Sequence, residues 1–262
     1  MTSTQDLEYD VNHLSGRGKA NADRLRRRVA RLMKAGMLEM DGKVQVERAV
    51  TVADLTEAYS LVYAAYVEKR YITERSLDGV RVRIFETLSD MATFVAKVDD
   101  RIVAVLSVIP DNPDTGLPSD HIFRDEIDIL RSGLVCEITN LAVASDYRST
   151  SVFLKLTQAC FAYALYLGAS DFFIAISPGH AMFFRDILQF ELWGEKKRYS
   201  EISDDVVLPM RLDLLSTRQL ARRFDALMGP KDSFGEDFYF ECNPFHGRIE
   251  EWQEEAASEI GG

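Results

Sequence analysis

Cysteine is scarce in this chain, and the three present, Cys136, Cys160 and Cys242, stand far apart. An odd number with no CxxC or Cys/His spacing argues against a disulfide framework and a structural zinc site, and fits a reduced, cytoplasmic protein. Proline and glycine are also sparse, 7 and 15 of 262 residues, which excludes collagen-like and low-complexity readings. Long apolar runs are missing. The longest uncharged one, Ala159 to Leu167, is about half of a membrane span, and the first twenty residues have no apolar signal core. Basic charge is in deficit, 31 Lys and Arg against 42 Asp and Glu, for a formal charge of -11. Such a field repels polyanions, so neither nucleic-acid binding nor attachment to an anionic membrane is expected.

What is there is an ordinary globular composition, 47% hydrophobic and 28% charged. A chain of this length buries roughly three quarters of its unfolded surface in one large core. Residues 1 to 20 are polar and aperiodic. From Asn21 to Ala35, Leu25, Val29, Leu32 and Met33 recur at helical spacing, while Arg24, Arg27, Arg28 and Arg31 point elsewhere: a basic amphipathic helix capped by Asn21 and ended by Gly36. Lys43 to Val50 alternates as a half-buried strand, and Asp54 to Val67 returns to helical spacing. A loop with Asp78 and Gly79 leads to a hairpin of Ala92 to Val98 and Arg101 to Ile109, turned at Asp99-Asp100.

Turn-rich residues 111 to 120 precede a short helix over Phe123 to Leu130. Leu134 to Ala144 is a buried strand that carries Glu137, Thr139 and Asn140. Ser149 to Leu167 is the longest helix, Asp171 to Ile176 a short buried strand, and Pro178-Gly-His180 a break before a helix over Ala181 to Leu188. Phe190 to Tyr199 and Val206 to Leu214 read as two further strands. Ser216 and Gln219 open another helix. The tail from 236 to 262 holds eight Asp or Glu and one Arg. The division expected is an arm with the basic helix over 1–40, a core over 41–215, and a helical acidic extension over 216–262.

Two residues stand out chemically. A carboxylate inside an apolar strand is costly unless paired or hydrogen-bonded, and such groups often have raised pKa values suited to proton transfer. Glu137 is therefore either a proton acceptor or half of an ion pair with a neighbour such as Arg131. His180, at a helix start, is disfavoured as imidazolium by the helix dipole and so suited to accept or relay a proton, or else satisfies a loop carbonyl. His13, His121 and His246 lack such context. The turn Asp146-Tyr-Arg-Ser-Thr-Ser151 has no glycine, so Arg148 with Ser149 and Thr150 at the helix start suits a single phosphate better than a wrapped pyrophosphate.

The element order is not a regular βαβα alternation. It resembles the GNAT acyltransferase fold, an α/β fold with a mixed, splayed sheet. More narrowly, residues 50 to 214 resemble the N-acyl amino acid synthases, relatives of the acyl-homoserine lactone synthases. The resemblance rests on Leu61-Val-Tyr-Ala-Ala-Tyr66, Gly116-Leu-Pro118 with Glu126 to Arg131, Glu137-Ile-Thr-Asn-Leu-Ala-Val143, and Pro178-Gly-His180 running on to Phe190-Glu191. It implies an enzyme moving a medium or long fatty acyl group from an acyl-carrier-protein thioester, or from acyl-CoA, to the amine of an amino acid. No tightly bound cofactor and no metal are expected.

It also implies that Glu137 and His180 handle the proton, that backbone near Leu141 and Val143 binds the donor together with Arg148, Ser149 and Thr150, and that Asn140 and Arg131 lie on the acceptor side. Where the family commonly has an arginine three residues after the strand glutamate, this chain has Asn140. The basic helix complements an acidic carrier protein. The alternatives are a lactone synthase, a small-acyl CoA-dependent transferase and a non-catalytic acyl-binding module.

Overall fold

The computed structural model describes residues 27, 43–71, 79–148, 152–199 and 205–214. Arg27 is helical and exposed. The rest of the segment expected as a basic helix, with Arg24, Arg28 and Arg31, the segment Ser149 to Ser151, and everything after Leu214 lie outside the described residues.

Within the described residues from 43 onward, eight strands and four helices follow the expected order: β1 (Gln45–Arg48), α1 (Val52–Glu68), β2 (Ala92–Val98), β3 (Arg101–Pro110), α2 (Asp120–Asp128), β4 (Val135–Val143), α3 (Val152–Leu167), β5 (Asp171–Ile176), α4 (Pro178–Asp186), β6 (Glu191–Leu192), β7 (Lys197–Tyr199) and β8 (Asp205–Asp213). The sheet runs β1-β2-β3-β4-β5-β8-β6, with β7 also on β8. Among these strands only β4 and β5 pair in parallel. The long α3 supplies the crossover that a parallel pair needs.

Both faces of the central strands are buried, which is why β2 and β3 read as nearly continuous apolar runs. Phe94, Ala96, Ala104, Leu106 and Val108 face a core built with α3. Their neighbours Val95 and Val105 face α1 through Leu55, Tyr59 and Val62, and Ile109 faces α2 through Phe123 and Ile127. The two-residue turn of the hairpin puts Asp99 at φ 49° and Asp100 at φ 62°, the backbone that matches strand twist and that Asp tolerates. Thr51 caps α1, accepting from the Asp54 N–H at 3.1 Å.

Two irregularities in β4 build the site. Val105 pairs with Ala142 but Ser107 with Thr139, so β4 carries an extra residue, and Asn140 sits there at φ 54°. A one-residue bulge inverts the facing of the strand residues beyond it. Accordingly, Val135 faces the α2 cluster and Ile138 the α3 cluster, whereas Ala142 faces the α1 cluster. Secondly, the parallel pairing of β4 with β5 ends at Glu137–Phe173. Beyond it the strands part, which is the splay expected of the sheet.

The segment expected as one strand over Phe190 to Tyr199 is two. Gly194 breaks it at φ 146°, and a Cβ there would meet Glu126 Cγ at 2.8 Å. The helix expected from Ala181 begins at Pro178, since proline suits a first helical turn that needs no N–H.

Candidate active site

A cavity of about 340 Å³ fills the gap between the parting strands. Leu141, Ala142 and Val143 of β4 and Ile174 and Ile176 of β5 supply apolar wall, and Tyr66, Arg81, Arg83, Ser119, Glu137 and Tyr199 supply the polar one. The volume and mixed lining suit a small-molecule site. On the β5 side, β4 backbone past Glu137 has no registered strand partner and lines this cavity.

Glu137 is 4% exposed and points to the α2 side of the sheet. Ser119, just before α2, holds it twice: its hydroxyl donates to Oε1 at 2.7 Å and its backbone N–H to Oε2 at 2.9 Å. Burial pushes the carboxyl from its ordinary 4.5 up to about 7, against the pull of the Ser119 bonds and the Arg83 charge, with the Asp120 charge adding to the rise. A carboxylate that titrates near neutrality is matched to accept a proton.

The turn that delivers Ser119 is itself fixed. Asp120 Oδ2 accepts from the Leu117 N–H at 2.8 Å and from Arg131 at 2.6 Å. Gly116 lies at φ 64°, and a Cβ there would stand 2.1 Å from that Oδ2. Only glycine fits, which gives the Gly116-Leu-Pro118 signature its physical reason.

Arg131 also bonds Asp111 at 2.8 and 3.0 Å and pairs with Asp128. It therefore holds the α2 turn rather than Glu137 or the cavity wall, and the ion pair considered between Arg131 and Glu137 is replaced by the Ser119 clamp. Arg131, which the sequence put on the acceptor side, is not part of the cavity lining.

Asn140 anchors a buried network. Its amide donates to Glu86 Oε1 at 3.0 Å and Ser107 Oγ at 3.2 Å, and Ser107 continues through Thr93 to the Tyr59 hydroxyl at 2.9 and 2.8 Å. Arg81 and Arg83 donate to Asn140 Oδ1 at 3.3 and 3.5 Å. Arg83 pairs with Glu86 at 2.6 Å. The fully buried Glu86 stays ionised below its ordinary range because the Arg83 and Arg81 charges and the Asn140 bond outweigh burial.

The sequence reading missed Arg81, Arg83 and Glu86, which it left in a loop, as well as Ser119, Tyr66 and Tyr199. The available signal was Arg81-Val-Arg83 alternating before Glu86: Glu86 accepts from the Arg83 backbone N–H at 2.6 Å, a capping box closing the short 3-10 turn Ile84–Thr87.

At the mouth, His180 is exposed in the first turn of α4, its Nδ1 2.9 Å from Ser177 Oγ. It lines the cavity, as do Leu141, Val143 and Arg148. Arg148 is exposed and bonds Glu68 at 2.7 and 3.1 Å. Its phosphate role would require exchange of that surface partner, which costs little in water. His121 is not part of the cavity lining; its Nδ1 lies 2.8 Å from the Pro118 carbonyl and its ring stands edge-on to Tyr199 at 5.1 Å. Among the described residues no cluster of three metal-ligating side chains occurs, and no helix is long and apolar enough to cross a membrane.

A mixed sheet opened beside its parallel pair, with a buried titrating carboxylate at the fork, defines a GNAT-like N-acyltransferase. The model of the family of the N-acyl amino acid synthase FeeM matches residues 57–213, more than half of the chain, and the chain belongs to that family. The solved structure of FeeM, from uncultured soil microbes, superposes with a TM-score of 0.59 at 22% identity, over 69% of this chain and 97% of that one. A CoA-dependent acyl-homoserine lactone synthase, BjaI, solved with SAM and isopentyl-CoA, gives 0.56 at 16% identity over 83% and 99%. The lactone synthase LasI gives 0.50 at 13% over 65% and 89%. At these identities the structures share the fold. No curated protein matches the sequence.

Proposed function

We propose that the protein transfers a medium or long fatty acyl group from an acyl-carrier-protein thioester to the α-amine of an amino acid. The observation that carries the reading is Glu137, buried and titrating at about 7, in a cavity that also has apolar wall from Leu141, Ala142, Val143, Ile174 and Ile176. The amine nitrogen attacks the thioester carbon, the N–C bond forms, and the amine proton passes to Glu137. The C–S bond then breaks and the thiolate leaves to be protonated. Backbone N–H groups near Leu141 to Val143, in the stretch of β4 with no registered partner on the β5 side, suit the developing oxyanion. Alignment of amine and thioester in one cavity supplies much of the rest.

The glycine-free turn at 146–151 supports a carrier-protein donor over coenzyme A, because it offers little to wrap a pyrophosphate. Arg148, with Ser149 and Thr150, then takes the phosphopantetheine phosphate, and His180 at the mouth stands where the leaving thiol collects its proton. The basic segment 21–35, expected as a helix from its sequence, with Arg24, Arg27, Arg28 and Arg31, is the docking element for the carrier.

The test is a thiol-release assay with dodecanoyl carrier protein and dodecanoyl-CoA as separate donors and amino acids as acceptors, with the product identified by mass spectrometry. An N-dodecanoyl amino acid formed faster from the carrier protein is the expected result. Faster turnover of the CoA donor overturns the donor assignment. A cyclised product points to a lactone synthase, and bound thioester without thiol release to a binding module.

A further inference from the structure

Two guanidinium groups reach the polar wall of the cavity from the stretch Val80 to Arg83, and they differ in what balances them. Arg83 is bonded to Glu86 at 2.6 and 3.2 Å, a charge-assisted pair that neutralises it locally. Arg81 donates to the neutral Oδ1 of Asn140 at 3.3 Å, and its guanidinium lies over the Tyr66 ring at 5.2 Å. Among the described residues, no carboxylate stands within ion-pair distance of it. Burial and the neighbouring Arg83 charge work against its ionisation, and the more distant pull of the Glu86 charge offsets them only in part. An arginine remains charged regardless, so the cavity holds a desolvated cation that has no bonded carboxylate of its own among the described residues and shares the Glu86 charge with Arg83.

Such a cation stays costly until an anion meets it. The Tyr66 face on one side and Asn140 on the other hold the planar fork oriented, and a fork of this kind matches a carboxylate with two parallel hydrogen bonds. We propose that Arg81 receives the carboxylate of the acceptor, and so selects an amino acid over an amine that lacks the acid group. The acceptor then spans the polar wall, its carboxylate on Arg81 and its amine toward Glu137. The carboxylate takes no part in the bond changes. The proposal rests on the acyltransferase reading of this cavity and assigns its acceptor-side determinant, in a segment that the sequence reading treated as a loop.

The experiment compares wild type, Arg81→Gln and Arg81→Lys. Rates with the best amino-acid acceptor are set against the decarboxylated amine of the same side chain, at saturating dodecanoyl thioester. Wild type is expected to favour the amino acid by ~10²-fold in kcat/KM, Arg81→Gln to lose that preference mainly through KM, and Arg81→Lys to keep part of it. The donor KM stays unchanged. Equal wild-type rates with both acceptors, or an equal loss with both in Arg81→Gln, overturn the proposal, as does a rise in donor KM alone, which would place the donor's phosphate on Arg81.

Binding by calorimetry decides the point without turnover. N-dodecanoylglycine is expected to bind wild type at least about tenfold more tightly than N-dodecanoylethanolamine, and Arg81→Gln to bind both alike. Equal binding to wild type, or none, overturns the proposal. Failure of turnover with every amine, beside a carboxylate preference in binding, would instead fault the acyltransferase reading and leave Arg81's role in place.

Discussion

Ser119 holds both oxygens of Glu137, its hydroxyl at 2.7 Å from one and its backbone N–H at 2.9 Å from the other. The two residues are 18 apart in sequence and come from a turn and a strand. Both bonds favour the ionised carboxylate, while burial and the Asp120 charge favour the protonated one. The balance leaves a base that is about half ionised near neutral pH.

That balance can be moved in either direction. Ser119→Ala removes one stabilising bond and raises the Glu137 pKa. Asp120→Asn removes a repelling charge while keeping an oxygen for the Leu117 N–H, and lowers it. The rising limb of kcat/KM against pH is expected to move up in the first and down in the second, each by roughly one pH unit or less. Displacements in the same direction would show that the limb does not report Glu137.

Gly116→Ala tests the turn. Its positive φ costs a non-glycine residue roughly 1–2 kcal/mol, and the added Cβ would press on Asp120 Oδ2 at 2.1 Å. A lower melting temperature is expected, together with a loss of kcat beyond that of a stability-matched surface variant, because Ser119 shifts with the turn. Unchanged kcat would separate the turn from catalysis.

For Asn140, two substitutions separate backbone from side chain. Asn140→Ala removes the bonds to Glu86 and Ser107 and places alanine at φ 54°. A loss of about 1–3 kcal/mol for the unmade bonds, plus about 1 kcal/mol for the backbone, is expected in urea unfolding. Asn140→Gly should recover the second part only. Equal losses would mean that the bulge bears no strain.

His180 is exposed and tied to Ser177, which suits a final proton transfer to the thiol at the mouth better than activation of the amine inside. Solvent can take over that step, so His180→Ala is expected to lower kcat by less than about tenfold. A hundredfold loss at unchanged melting temperature would make His180 the principal base.

Much of this was legible in the sequence. The alternation over Lys43 to Val50, the apolar runs of β2 and β3, the turn residues Asp99 and Asp100, and the polar positions of β4 are local signals. They gave the hairpin, the order of elements and Glu137. Arg81, Arg83 and Glu86 escaped because their meaning lies in contacts with Asn140 that span 54 to 59 residues, which no window of sequence contains. Arg131 was misplaced for the related reason that several acids compete for one cation, and Asp111, Asp120 and Asp128 outnumber Glu137. The bulge at Asn140 was equally hidden, since an asparagine in a strand does not announce a positive φ.

The central claim is that Glu137 accepts the amine proton, and Glu137→Gln measured across pH tests it most directly. Glutamine is the same size and keeps both contacts with Ser119, its oxygen accepting from the N–H and its amide donating to the hydroxyl, which reverses role. Because the folded pKa of about 7 lies above the ordinary 4.5, protonation of Glu137 favours the fold. That contribution, about 3 kcal/mol, is fully present below pH 4.5 and is lost as pH rises through 7; glutamine removes this dependence, so folding survives. The wild-type kcat/KM is expected to rise through an apparent pKa of about 7, on top of the acceptor amine's own titration. The variant is expected to lose that limb and ~10²- to 10⁴-fold of the rate with no fall in melting temperature at about pH 7 and above. A Glu137→Gln enzyme with wild-type turnover and an unchanged pH profile would contradict the account.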